Sequence, residues 1–218
     1  MYSLKKWADT LAPDARVPAA LPAQHSIIYV ARGGAAVNGE QLRVGEAVYV
    51  DGYLDLVAGP EGATLWRWGV TPEIDSPGLL EGAGISSVCR MSRQVKMFEM
   101  VPTSKWLFRL DCVIGFEGTT GLHSHPGSGI RCLIDGRLRT ESQKGEDTDN
   151  RAVGDVWYEE GAYPLTSTVE PGFKATFVRG MILPPEFAVH HDTAMWIENK
   201  EPTMEGWKAM AQKVVTLR

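Results

Sequence analysis

The chain has 218 residues, 44% hydrophobic and 22% charged, with 23 Gly, 13 Pro and a net charge of −5. Such a length can bury a sizeable core without staples and accommodates one or two domains, and the composition excludes wholesale disorder. No Lys/Arg block suggests nucleic acid as a main partner, and no apolar run approaches the roughly 18 residues a membrane span needs.

The first stretch predicts a short helix. Leu4, Trp7, Ala8 and Leu11 follow the i, i+3, i+4, i+7 spacing, Ser3 can cap it and Pro13 should stop it. No apolar stretch here has the form of an export signal, so the expected compartment is the cytoplasm. Cys89, Cys112 and Cys132 are odd in number and lack C-x-x-C spacing, which predicts buried free thiols. From Ile27 the chain turns β-rich. Asn38-Gly39 is a hairpin turn signal, and Asp51-Gly52 marks another turn after the strand Ala47, Val48, Tyr49, Val50. Residues 74–94, with Pro77, Gly78, Gly82 and Gly84, predict a linker. Strands resume at Val95, Lys96, Met97 and Phe98. Alternate apolar positions from Trp106 to Ile114 predict a half-buried strand. In the tail, Met204, Trp207, Ala211 and Val214 share one helical face after Pro202.

An internal repeat organises these pieces. Val44 to Gly52 aligns with Val153 to Gly161, Ala63 to Arg67 with Ala175 to Arg179, and Ile27 to Gly33 with Ile130 to Gly136. Two related β units are therefore expected. Residues 1–73 form a partial first unit with the N-terminal helix, 74–94 the linker, 95–186 a full barrel and 187–218 a helical tail.

The second unit resembles the cupin superfamily. Gly121-Leu122-His123-Ser124-His125, followed by Gly136, is similar to the first cupin motif, and Gly154-Asp155 through Gly161 to the start of the second. The resemblance implies an all-β protein, a double-stranded β-helix or jelly-roll barrel, with two units in one chain as in a bicupin. It also implies a small-molecule ligand and homodimerisation, although two units in one chain could meet the same need within a monomer.

Alternation puts His123 and His125 on one strand face, where two imidazoles can reach a common ion. The chain departs from the family pattern at two further ligands: Gly129 stands where a Glu is expected and Pro164 where a second-motif His is expected. Two readings stay open. The histidines form a hydrogen-bonded pair in a barrel that has lost its metal, or one divalent ion (Fe, Mn, Ni or Zn) is completed by another donor, with His190, His191, Glu159 and Glu141 as candidates. Arg131 shares the interior face of Gly129, and a buried guanidinium needs an acid from another strand or a ligand carboxylate. Tyr29, Trp157, Tyr158 and Tyr163 could line a pocket, with core packing as the default. His25 is expected to be structural or exposed.

The function expected first is a divalent-metal-dependent enzyme of dioxygenase, isomerase or lyase type, acting on a small organic acid or enolate that Arg131 orients. The alternative is a metal-free cupin that holds a small metabolite as sensor or carrier. The first unit has no H-x-H pair and is expected to be catalytically silent.

Overall fold

Glycine-punctuated apolar runs fold here almost wholly into antiparallel sheet. The structure, a computed structural model, describes residues 2–72, 78–95, 104–190, 192–198 and 204–217, with the backbone alone for 18–24 and 204–205. The chain divides into two compact units, Met1–Phe98 and Glu99–Arg218. His191, Pro202 and most of the strand expected from Val95 to Phe98 lie outside the described residues.

The first unit contains β1 (Tyr2–Leu11), β2 (Arg16–Val37), β3 (Glu40–Arg43), β4 (Ala47–Pro72) and β5 (Ile85–Gln94), in the sheet order β3-β2-β4-β1-β5. The second contains β6 (Lys105–Thr119), β7 (His123–Ser124), β8 (Gly129–Gly136), β9 (Leu138–Ser142), β10 (Thr148–Asn150), β11 (Val156–Glu159), β12 (Leu165–Leu183), β13 (Met195–Trp196) and β14 (Met204–Thr216). Long bent strands roll each sheet up. Tyr29 of β2 pairs with both Ala47 and Trp66 of β4, so the two ends of β4 flank one strand. β8 is flanked in the same way, by β11 and β12.

The repeat is thus a repeat of architecture. β1 lies between β4 and β5 as β6 lies between β12 and β14. Equivalent glycines allow the close approach of neighbouring strands. Gly33 and Gly136 have φ of 72° and 81°, and a Cβ there would sit 2.1 Å from the Gly62 carbonyl oxygen and 1.7 Å from that of Lys174. No other residue type fits both the dihedral and the space.

Both predicted helices are strands. β1 is buried on both faces, with Leu4 and Trp7 fully enclosed, so no alternation shows in its sequence. In β14 the register slips between Glu205 and Trp207 and again between Ala209 and Ala211. Each slip adds one residue, and the apolar positions Met204, Trp207, Ala211 and Val214 acquire spacings of three and four residues that mimic a helix. The expected linker also supplies a strand: β5 pairs with β1 from Ile85 to Gln94. The first unit, expected to be partial, has its opening strands in β1 and the start of β2. Asn38-Gly39 makes the β2–β3 hairpin with positive φ at both residues, whereas Asp51-Gly52 lies inside β4.

The core of the first unit is aliphatic, built on Val17, Ile28, Val30, Leu54, Leu56 and Leu65. That of the second centres on Val113, Leu133, Trp157 and Phe177. Of the cysteines, only Cys132 is buried; Cys112 is partly buried and Cys89 is exposed, which corrects that expectation. Among the described residues no helix is long and apolar enough to cross a membrane.

Candidate functional site in the second barrel

Four strands, β7, β8, β11 and β12, bring the site together. β7 carries His123 and Ser124, with His125 directly after it, and is held by pairing with Leu165 of β12 and with Met195 and Trp196 of β13. β8 carries Arg131, cross-strand from Trp157 of β11 and from Arg179 of β12. Arg179 lies opposite Asp111 of β6. A row of cross-strand partners, Trp157, Arg131, Arg179 and Asp111, therefore spans four strands. Period two puts Glu159 on the same face as Trp157, opposite Gly129.

His123 and His125 are both buried, with ring centroids 5.2 Å apart. His123 Nδ1 lies 2.9 Å from the Gly121 carbonyl oxygen, and His125 Nδ1 lies 3.1 Å from that of Thr193. A carbonyl only accepts, so the Nδ1 of His123 carries its proton and its Nε2 keeps the lone pair, whereas His125 faces an acceptor at each nitrogen, the Thr193 carbonyl at Nδ1 and the Glu159 carboxylate at Nε2. Burial pushes His125 down to about 4 and lowers His123 as well. Both rings are neutral at pH 7.

Arg131 and Glu159 form a buried ion pair, with Nη2 and Oε2 2.5 Å apart and side chains only 1% and 9% exposed. The contact is ionic: neither atom makes an aligned hydrogen bond. Arg131 Nη1 donates to the Gly129 carbonyl at 2.6 Å. Burial brings Arg131 down to about 10, which leaves it charged at neutral pH. Burial alone would raise the Glu159 carboxyl. The Arg131 charge, with His125 and the Trp157 indole N–H, overrides this and holds it well below the usual carboxylate range. That indole N–H donates to Oε1 at 2.9 Å. The other oxygen, Oε2, lies 3.2 Å from His125 Nε2.

Deeper in the barrel, Asp111 accepts from Arg109 Nε at 2.5 Å and from Arg179 Nη2 at 3.3 Å. Arg179 Nε is buried without a hydrogen-bond partner among the described residues. Three guanidinium groups thus face two carboxylates and two neutral imidazoles. His123, His125, Arg131, Glu159 and Arg179, with Ser167, Phe177, Ala194, Trp196 and Trp207, line a cavity of about 10 Å³. That space is close to the lower limit for one water molecule.

The structure brings together the three residues that sequence pointed to, His123, His125 and Arg131, and resolves the partner of Arg131 as Glu159. Of the proposed third donors, Glu159 turns inward. Glu141 pairs with Arg139 at the surface, and His190 is exposed. Tyr29, Trp157, Tyr158 and Tyr163 are not among the residues that line this cavity. Trp157 orients Glu159, Tyr29 stacks on Trp66 in the first unit, and Tyr163 is exposed. Trp196, Phe177 and Trp207 line the cavity instead. His25 is buried, with Nδ1 2.7 Å from the Tyr49 hydroxyl. Arg179 carried no signal of its own beyond its match to Arg67 in the repeat.

In the first unit the equivalent places are closed. Ile28 stands for Arg131 and Val50 for Glu159, both buried in the aliphatic core. Arg67, the match of Arg179, also pairs with an acid, but from another position: Trp7 stands where Asp111 does, and Asp9, two residues on, accepts from Arg67 Nε at 2.9 Å. A larger groove of about 410 Å³ over β9 and β10 includes Arg137, Arg151, Asp149 and Glu170. These are exposed and pair with one another, so they form a solvated ionic surface.

As they stand, these side chains do not fit a metal centre. Among the described residues no three His, Cys, Asp or Glu side chains form a ligand group. The carboxylate that could join the histidines is already neutralised by Arg131.

No protein-family profile matches the chain, and no curated protein matches it. Solved structures do match. An oxalate decarboxylase from Lactobacillus farciminis, in complex with formate, is 11% identical with a TM-score of 0.62, over 90% of this chain and 80% of its own. Bacillus subtilis oxalate decarboxylase, a protein with Mn(II) centres, is 14% identical with a TM-score of 0.56, over 88% and 71%. A salicylate 1,2-dioxygenase variant from Pseudoaminobacter salicylatoxidans, in complex with gentisate, is 13% identical with a TM-score of 0.52, over 82% and 68%. These likenesses show the fold: two barrels of cupin type follow one another in the chain.

Proposed function

We propose that the second barrel is a receptor for a small organic acid, whose carboxylate is received between Arg131 and Arg179 beside His123 and His125. The observation that carries this reading is the surplus of buried positive charge: Arg109, Arg131 and Arg179 face only Asp111 and Glu159, and Arg179 Nε is buried without a hydrogen-bond partner among the described residues. Buried guanidinium groups demand anionic partners, and a carboxylate can take two parallel N–H bonds from such a fork. The acids held by two of the structural relatives, formate and gentisate, are of the same chemical class.

The cavity is closed down to a water-sized space, so the acid enters as Ala194 and Trp196 give way. They lie on the segment after the barrel, which is tied down by the Ile197 N–H to the Leu122 carbonyl and by Thr193 to His125. Metal-dependent chemistry on the acid is the second reading. It is favoured by the tied Nδ1 of His123, which leaves that ring's Nε2 lone pair available. It requires Glu159 to exchange Arg131 for the ion.

Thermal denaturation of EDTA-treated protein with formate, oxalate, salicylate and gentisate tests the first reading. At least one acid is expected to raise Tm in the wild type and not in R179Q. No rise with any of the four, or equal rises in both proteins, would overturn it.

A further inference from the structure

We infer that the acid received by the second barrel is a 2-hydroxy acid: with its carboxylate between Arg131 and Arg179, its hydroxyl accepts from the Trp207 indole N–H and donates to Nε2 of His123. The inference rests on the acid-receptor reading above and narrows it from a charge to a class of molecule.

Strand register sets the two ends of the site. Trp157, Arg131, Arg179 and Asp111 form one cross-strand row. Two residues along β8, β12 and β6, the next row is Leu133, Phe177 and Val113, continued by Trp207 of β14. Period two gives both rows the interior face, with about 7 Å of strand between them. Arg131, Arg179, Phe177 and Trp207 all line the one cavity. The charged end belongs to the first row. The second row offers an indole, whose Nε1 is buried without a hydrogen-bond partner among the described residues. An indole N–H only donates, and a buried donor left unmade is unfavourable. His123 lines the same cavity. Its Nδ1 is tied to the Gly121 carbonyl, and its Nε2 lone pair makes no hydrogen bond among the described residues. One neutral donor and one neutral acceptor therefore stand beside the guanidinium groups.

A hydroxyl group satisfies both, because it accepts and donates. A keto oxygen or a second carboxylate only accepts and would set its lone pairs against that of His123. An ammonium only donates and adds positive charge beside two guanidinium groups. A plain alkyl acid leaves both neutral groups unmade. The cavity of about 10 Å³ favours a chain of two or three carbons. In the first barrel Ser87 holds the position of Trp207, across from Asp9, and its hydroxyl is taken up by that Asp9 carboxylate.

Calorimetric titration of the EDTA-treated full chain tests the inference, with acetate and glycolate on wild type and W207F, and with lactate and pyruvate on wild type. Acetate and glycolate differ by one hydroxyl. Lactate and pyruvate differ in whether that oxygen can donate. Wild type is expected to bind glycolate at least about tenfold more tightly than acetate, and the better lactate enantiomer at least about threefold more tightly than pyruvate. W207F should lower the glycolate-to-acetate ratio at least about threefold, whereas a merely structural change would weaken both acids alike. Acetate bound as tightly as glycolate, or pyruvate as tightly as lactate, would overturn the inference and leave the acid receptor standing. An unchanged ratio in W207F would do the same. Binding of none of the four acids would overturn both. Should W207F fail to fold, as read by Tm, the two wild-type comparisons decide alone.

Discussion

At the scale of the residue, the site is governed by the cost of buried charge. Arg131 and Glu159 each justify the other's presence inside the barrel. Removing one partner leaves an uncompensated ion, a loss that costs about 3 to 5 kcal/mol in comparable pairs. Arg131→Ala and Glu159→Ala should each lower stability by that order in urea unfolding. Their double variant should fall well short of the sum, because the second change removes a charge the first has stranded. Acid acts on the same group of side chains. Burial lowers His125 from 6.5 to about 4, so between those pH values the unfolded chain binds the proton and the folded chain does not. Stability is therefore expected to fall as pH drops from about 6.5 towards 4. Glu159, depressed in the folded state, adds a loss of the same sign below its unfolded pKa near 4.5. His125→Gln should flatten the upper part of that slope in denaturant titrations at stepped pH. Sequence gave good access to His123, His125 and Arg131, because period-two alternation assigns an interior face without reference to anything else. It gave poor access to Glu159. That residue follows Tyr158 and precedes Glu160 in a polar run, and only the cross-strand position opposite Gly129 marks it as an interior group.

At the scale of the element, the long strands were legible wherever one face is wet or a turn carries its own signal. The Asn38-Gly39 hairpin and the match of β8 to part of β2 follow directly from the chain. The misread elements share a cause. β1 is covered on both faces, and β14 contains two register slips, so in each the period of two is hidden. Helical spacing in a short segment is weak evidence against strand when the rest of the chain is β. Glycine placement makes a sharper prediction. Gly136 combines φ of 81° with a Cβ position 1.7 Å from the Lys174 carbonyl oxygen. Gly136→Ala should cost at least about 2 kcal/mol by thermal or urea unfolding. Gly154 has φ of 91° but nothing within 4 Å of its Cβ position. Gly154→Ala carries the dihedral penalty alone and should cost less.

At the scale of the whole molecule, two barrels share one plan and differ in what fills them. Each keeps a buried Arg–Asp pair between equivalent strands, Arg67 with Asp9 and Arg179 with Asp111. Only the second adds Arg131, Glu159 and the two histidines; the first substitutes aliphatic side chains. The repeat in the sequence disclosed the plan and the missing histidines of the first unit. The substitution of Ile28 and Val50 shows in three dimensions why that unit offers no equivalent cavity wall. The pairs inside the two barrels should therefore separate stability from binding. Asp9→Asn should destabilise the protein by about 3 to 5 kcal/mol while leaving acid binding intact in the folded fraction, whereas Arg179→Gln should abolish binding.

Calorimetric titration of formate into the EDTA-treated full chain tests the central claim most directly, with wild type, R179Q and D9N side by side. Saturable binding of one formate per chain in wild type and D9N, lost in R179Q, is the predicted result. Two formates per chain, or binding unchanged in R179Q, would contradict the assignment of a single acid site to the second barrel.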